Sequence, residues 1–190
     1  MEEFNGDFSL HDLLCFKESS KIFRMGEEDT FNKLITEWAE KEVMSGNNSS
    51  TLLIIASLNL DAQPDRNDVE SYLPRYLNEI SINYPTYKIS LLVWLKHKIS
   101  LIYHADSAKD IEALLYFFAV GCFDYPPRLL ARTSNFLSDL YYILYDDLGQ
   151  ELLSLAASMS DEEILAYVRI KTLPYYRILN SRDWISFLAR

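Results

Sequence analysis

Glycine is scarce in this chain, with five residues scattered through 190. That scarcity excludes a glycine-rich phosphate loop and a flexible Gly/Ser linker, so connections should be short. Histidine is scarcer, limited to His11, His97 and His104, and there is no Gly-x-Ser-x-Gly sequence to hold a hydrolase nucleophile. The two cysteines, Cys15 and Cys122, lie far apart and outside any Cys-x-x-Cys pattern. A disulfide framework is therefore not expected, and a reducing cytoplasm is the expected compartment.

Long apolar runs are missing too. The strongest, ISLLVWL, stops at Lys96, short of the roughly 18 residues that identify a membrane span. The opening MEEFNGDFSLHDLL is acidic where a secretory signal is basic. No membrane partner is expected. Basic charge is also in deficit, since 18 Lys and Arg face 28 Asp and Glu for a formal net charge of -10. Phosphate backbones would be repelled, so nucleic acid is not an expected partner, whereas an acidic surface suits docking onto a basic protein.

What is abundant is helical periodicity. Leu10, Leu13 and Leu14 suggest a first helix; Phe31, Leu34, Ile35, Trp38 and Val43 trace one face of a second; Leu52, Ile55 and Ala56 mark a third. Asn47 and Asn48 in GNNSS read as a turn and a cap. Asn67 and Glu70 have capping-box spacing, and Pro74 downstream predicts a kink or restart. Asp106 or Ser107 opens an apolar helix ending near Gly121, and Pro126 or Pro127 starts the next. Ser160 and Glu163 form another capping box, Pro174 is expected to end that helix, and Ser181 can cap a last piece from Trp184 to Leu188.

The expected fold is all-α: one helical domain over residues 1–190, an irregular bundle or stacked antiparallel helix pairs with roughly eight to ten helices. Residues 87–103 carry enough β-branched residues to permit a small β-hairpin as the alternative, although LKHK offers no turn dipeptide.

The chemistry is sparse. His97 and His104 share a helical face, but no carboxylate occurs between Glu79 and Asp106 to complete a metal set. No metal or cofactor is expected. Arg75, Lys88, Lys96 and Lys98 make a modest positive island whose plain role is to keep a buried helix wet on its solvent side. Arg128 and Arg132 lie near the start of a candidate helix over 127–147, and Asp139, Asp146 and Asp147 near its end. That charge order opposes the helix dipole, so either the helix restarts at Thr133-Ser134-Asn135, where Ser134 and Asn135 can cap, or these charges answer to neighbours or a partner.

The stretch LYYILYDDLGQELL, residues 140–153, divides by helical spacing. Leu137, Leu140, Tyr141, Leu144 and Leu148 form a core stripe, while Asp147 and Gln150 look like a helix start. Asp139, Tyr142, Tyr145 and Asp146 remain as a candidate partner-binding patch, because tyrosine combines rigid area with a polar tip. Arg128, Arg132, His97 and His104 are weaker site candidates.

With thirteen tyrosines, ten phenylalanines and three tryptophans, some aromatics should lie outside the core. The expected function is a non-enzymatic interaction module that presents an acidic, tyrosine-bearing face to a basic protein partner, as a small inhibitor or toxin-neutralising immunity protein does. The alternatives are an enzyme with a dispersed site of His97, His104 and Arg132, and a subunit that self-associates into a homo-oligomer through its exposed aromatics.

Overall fold

The computed structural model describes residues 8–23, 28–60, 65–121, 123, 127–146 and 154–188. Among the described residues the fold is all-α, with nine helices and no strand. The chain divides into two compact units, residues 1–90 and 91–190.

The first unit holds α1 (Leu10–Phe23), α2 (Glu28–Met44), α3 (Ser50–Ser57) and α4 (Arg66–Glu79). Helix α2 packs against α1, α3 and α4. Ala39, Leu52, Ile55 and Tyr76 form a buried cluster covered by Trp38, Val43 and Tyr72. Gly46, at φ 104°, makes the turn after α2, a conformation that costs glycine little because it has no Cβ. Asn47 holds that turn: its side chain accepts from the Ser49 amide at 3.2 Å and donates to the Tyr76 hydroxyl at 3.3 Å. Of the Ser and Asn residues that precede Leu52, Ser49 caps α3.

Asn67 as the cap of α4 is corrected, and of the kink or restart expected at Pro74 only the restart is excluded. The N-cap is Asp65, whose carboxylate accepts from the Asn67 amide at 2.7 Å, so the helix starts before the Asn67–Glu70 pair. Pro74 lies inside the helix without a restart. Val69, Leu73, Tyr76 and Leu77 on the same helix are buried, at roughly 1.5–3 kcal/mol for a fully buried aliphatic side chain. Together they offset the roughly 3 kcal/mol that an interior proline costs.

Helix α5 (Tyr87–His104) begins in the first unit and continues into the second. The hairpin alternative is thereby overturned. Leu91 to Leu95 are five consecutive buried residues, which an enclosed helix accommodates and a one-sided strand does not.

The second unit continues with α6 (Ala108–Val120), α7 (Arg128–Tyr145), α8 (Asp161–Leu179) and α9 (Arg182–Leu188). Ser107 caps α6, with its hydroxyl accepting from the Asp110 amide at 3.1 Å. At the other end, a Cβ added to Gly121 would run into the Phe123 ring, so only glycine lets that ring close over the helix terminus. Phe123 in turn joins Trp94, Phe117 and Phe118 in an aromatic cluster. Lys98, expected on a wet face, is 5% exposed, with its ammonium 5.2 Å from the Phe117 ring. Its stem and charge are absorbed by aromatic faces.

Helix α7 is continuous, so the restart at Thr133-Ser134-Asn135 is also corrected. Leu130, Leu137, Leu140 and Leu144 are buried on one stripe, at roughly 1.5–3 kcal/mol each. That outweighs the few tenths of a kcal/mol that each exposed, wrongly placed charge costs. It also outweighs the buried Thr133 and Ser134 hydroxyls, which lack hydrogen-bond partners. The Ser160–Glu163 capping box of α8 is present in both directions. Pro174 lies within α8 instead of ending it, with Thr172 and Leu179 buried on either side. The expected Asp147–Gln150 helix start, Leu148, Cys122 and Pro126 lie outside the described residues.

Candidate functional site

The aromatic surface of the second unit is built by α6 and α7, which pack along each other. The buried leucine stripe of α7 fixes its rotation, leaving Asp139, Tyr142, Ile143 and Asp146 exposed on the opposite side. The side chains nearest α6 make a ladder of phenols. Tyr141 lies 5.5 Å from Tyr116, 5.6 Å from Tyr142 and 5.5 Å from Tyr145, centroid to centroid. Two phenols are anchored across the helix pair: the Tyr142 hydroxyl donates to the Ala119 carbonyl and the Tyr145 hydroxyl to the Ala108 carbonyl, each at 3.4 Å. Tyr116, Val120, Tyr142 and Ile143 expose between 46% and 63% of their surface.

Carboxylates frame these rings. Tyr145 has its phenol pushed up to about 12, first by burial and then by Glu112 and Asp161. Burial also raises Tyr141, and Glu112, Tyr116 and Asp146 add to the effect. Tyr141 and Tyr145 therefore remain neutral at physiological pH. Three acids from α6, the end of α7 and the start of α8 give the surface its sign. Among the candidate patch residues, Tyr142, Tyr145 and Asp146 all meet this ladder, and Asp139 sits one helical turn before Tyr142. Sequence spacing along α7 alone missed Tyr116 and Glu112, which come from α6. Their only signal was exposed i, i+4 spacing on an otherwise apolar helix.

The weaker candidates are placed apart. His104 is exposed and shares a 3.1 Å hydrogen bond with the Tyr176 hydroxyl. Tyr176 also stacks on Tyr103 at 4.3 Å. Arg169 completes this junction by donating to the carbonyls of Tyr103 at 3.2 Å and Ala105 at 2.8 Å, which closes the end of α5. His104 thus ties α5 to α8. His97 lies about 10 Å away along the α5 axis, at 1.5 Å per residue. Arg128 and Arg132 are exposed in the first turns of α7.

Other reactive groups are quiet. Burial pushes the Cys15 thiol up to about 12 despite a hydrogen bond with Ser90, leaving almost no thiolate at neutral pH. Among the described residues, no three His, Cys, Asp or Glu side chains gather as a metal site, and no helix is long and apolar enough to cross a membrane. No protein-family model, curated protein or solved structure matches the chain.

Proposed function

We propose that this protein is a binding module whose α6–α7 surface docks a basic protein. The observation that supports it is the four-tyrosine ladder bordered by Glu112, Asp146 and Asp161. Its rings are held by packing and by hydroxyl-to-carbonyl bonds, so little side-chain freedom is lost when a partner covers them. Exposed Val120 and Ile143 add apolar area beside the phenols. The carboxylates supply the long-range attraction that speeds encounter with a cationic surface. Self-association through the same face would bring like charges together and is disfavoured on that ground. An inhibitor or immunity role is one form that such docking takes.

The test is paired affinity capture from the native source, with wild type and the triple variant Asp139→Asn, Tyr142→Ala, Asp146→Asn immobilised side by side after circular dichroism shows equal helicity. A basic protein retained by wild type and lost from the variant is the expected result. Equal retention by both would overturn the proposal.

A further inference from the structure

The phenol ladder of α6 and α7 is built from the least basic part of the chain. Residues 110–127 contain no lysine or arginine, and neither do residues 133–168, which carry seven carboxylates. Lys109 and Arg132 flank these stretches. Beyond burial, the charges felt by the Tyr141 and Tyr145 phenols nevertheless come from Glu112, Asp146, Asp161 and neighbouring phenols. The negative field of this surface is therefore left for an outside cation to answer.

The rings are open where that field is strongest. Tyr116 is 52% and Tyr142 46% exposed, and neighbouring rings of the ladder meet at 36° to 78°, so none lies flat upon the next. Elsewhere the chain covers rings with its own cations, Lys17 over Phe31 and Lys171 over Tyr167. Among the described residues no cation lies over any of the four ladder rings. Each open phenol also has an exposed carboxylate one helical turn away on its own helix: Glu112 before Tyr116 on α6, and Asp146 after Tyr142 at the end of α7. Side chains at that spacing have Cβ atoms about 5–6 Å apart, so one group of the partner can cover the ring and bond the carboxylate together. An ammonium is compact and strongly hydrated, which suits the carboxylate alone. A guanidinium is planar, weakly hydrated and forked, which suits both.

We infer that the basic partner enters this surface through arginine, each guanidinium stacking on Tyr116 or Tyr142 while its N–H edge donates to Glu112 or Asp146. The inference rests on the docking of a basic protein proposed above and adds the residue type that is recognised. Lysine of equal charge should be a poor substitute.

The test titrates full-length protein, isotope-labelled at tyrosine, with two peptides of equal length and charge, one alternating arginine with glycine and the other lysine with glycine, at constant ionic strength. Saturable binding of the arginine peptide about tenfold tighter than the lysine peptide is expected, with shifts of the Tyr116 and Tyr142 ring resonances. The double variant Tyr116→Leu, Tyr142→Leu changes exposed positions and keeps every carboxylate, so the arginine affinity should fall to that of lysine. Glu112→Gln with Asp146→Asn should weaken both peptides, and Asp68→Asn, at an exposed carboxylate of α4, should change neither. Equal affinity of the wild type for the two peptides, a preference that survives loss of both phenols, or no saturable binding of the arginine peptide would overturn the inference. The docking of a basic protein stands or falls separately, on the paired capture, in which neither peptide is present.

Discussion

The tyrosine surface of α6 and α7 and the buried Asn32 amide of α2 are opposite products of the same element, an amphipathic helix. On the outer face of α7 the anchored phenols are satisfied: those of Tyr142 and Tyr145 donate to main-chain carbonyls, and what remains exposed is ring area and negative charge. In the first unit the Asn32 amide is buried without a hydrogen-bond partner, beside a cleft lined by Lys17, Lys21, Arg66 and Glu70. A satisfied, open, apolar surface suits a macromolecule, because area and shape contribute there. A buried donor without an acceptor instead carries a desolvation cost that the surrounding packing must offset.

The contrast is sharpened most by undermining the tyrosine surface from below. Leu140→Ala removes a side chain that is 2% exposed beneath the ladder and should destabilise the protein by about 2–5 kcal/mol, measured by urea unfolding. If the surface is held by its leucine stripe, a loss below about 1 kcal/mol would contradict the packing described. Asn32 should respond in the opposite sense. Asn32→Leu, which replaces an unpartnered buried amide with an apolar group of similar shape, should stabilise the protein by about 1 kcal/mol. Destabilisation by that amount would mean the amide already has a partner.

Thr133→Val tests the same principle on α7. Its buried hydroxyl also lacks a partner, so the substitution is expected to be neutral or stabilising by up to about 1 kcal/mol. Melting temperature is the readout.

The smallest effect is electrostatic. Because the folded state raises the Tyr145 phenol from 10.0 to about 12, folding favours its neutral form. That contribution is complete below pH 10 and is lost as pH rises through 12. Stability should therefore fall across this window, and Tyr145→Phe should flatten the decline. An unaltered pH profile would show that Tyr145 is not shielded as described.

Much of the fold was legible from local chemistry. The leucine stripe of α7, the Ser160–Glu163 capping box and the glycine at the end of α6 all act within one or two turns, so their spacing reports them directly. The helix end at Pro174 and the restarts at Pro74 and at Thr133-Ser134-Asn135 are absent for one reason. Each would relieve a local penalty of at most a few kcal/mol, overridden by buried side chains whose partners are distant in sequence. The candidate patch was only half visible for the same reason. Tyr142, Tyr145 and Asp146 belong to α7 and could be grouped by period, whereas Tyr116 and Glu112 join them only after α6 packs alongside. The cleft was invisible because Lys17, Asn32 and Arg66 sit on three helices with no shared pattern. Lys98 could not be placed either, since its burial depends on rings contributed by Trp94 and Phe117.

The docking of a basic protein on α6 and α7 is tested most directly by quantitative capture at about 50 mM and about 500 mM salt, where the Debye length shortens from about 14 Å to about 4 Å. Wild type should retain a basic partner at low salt and lose most of it at high salt, and the Asp139→Asn, Tyr142→Ala, Asp146→Asn variant should retain little at either. A partner held equally by both proteins and unaffected by salt would contradict it.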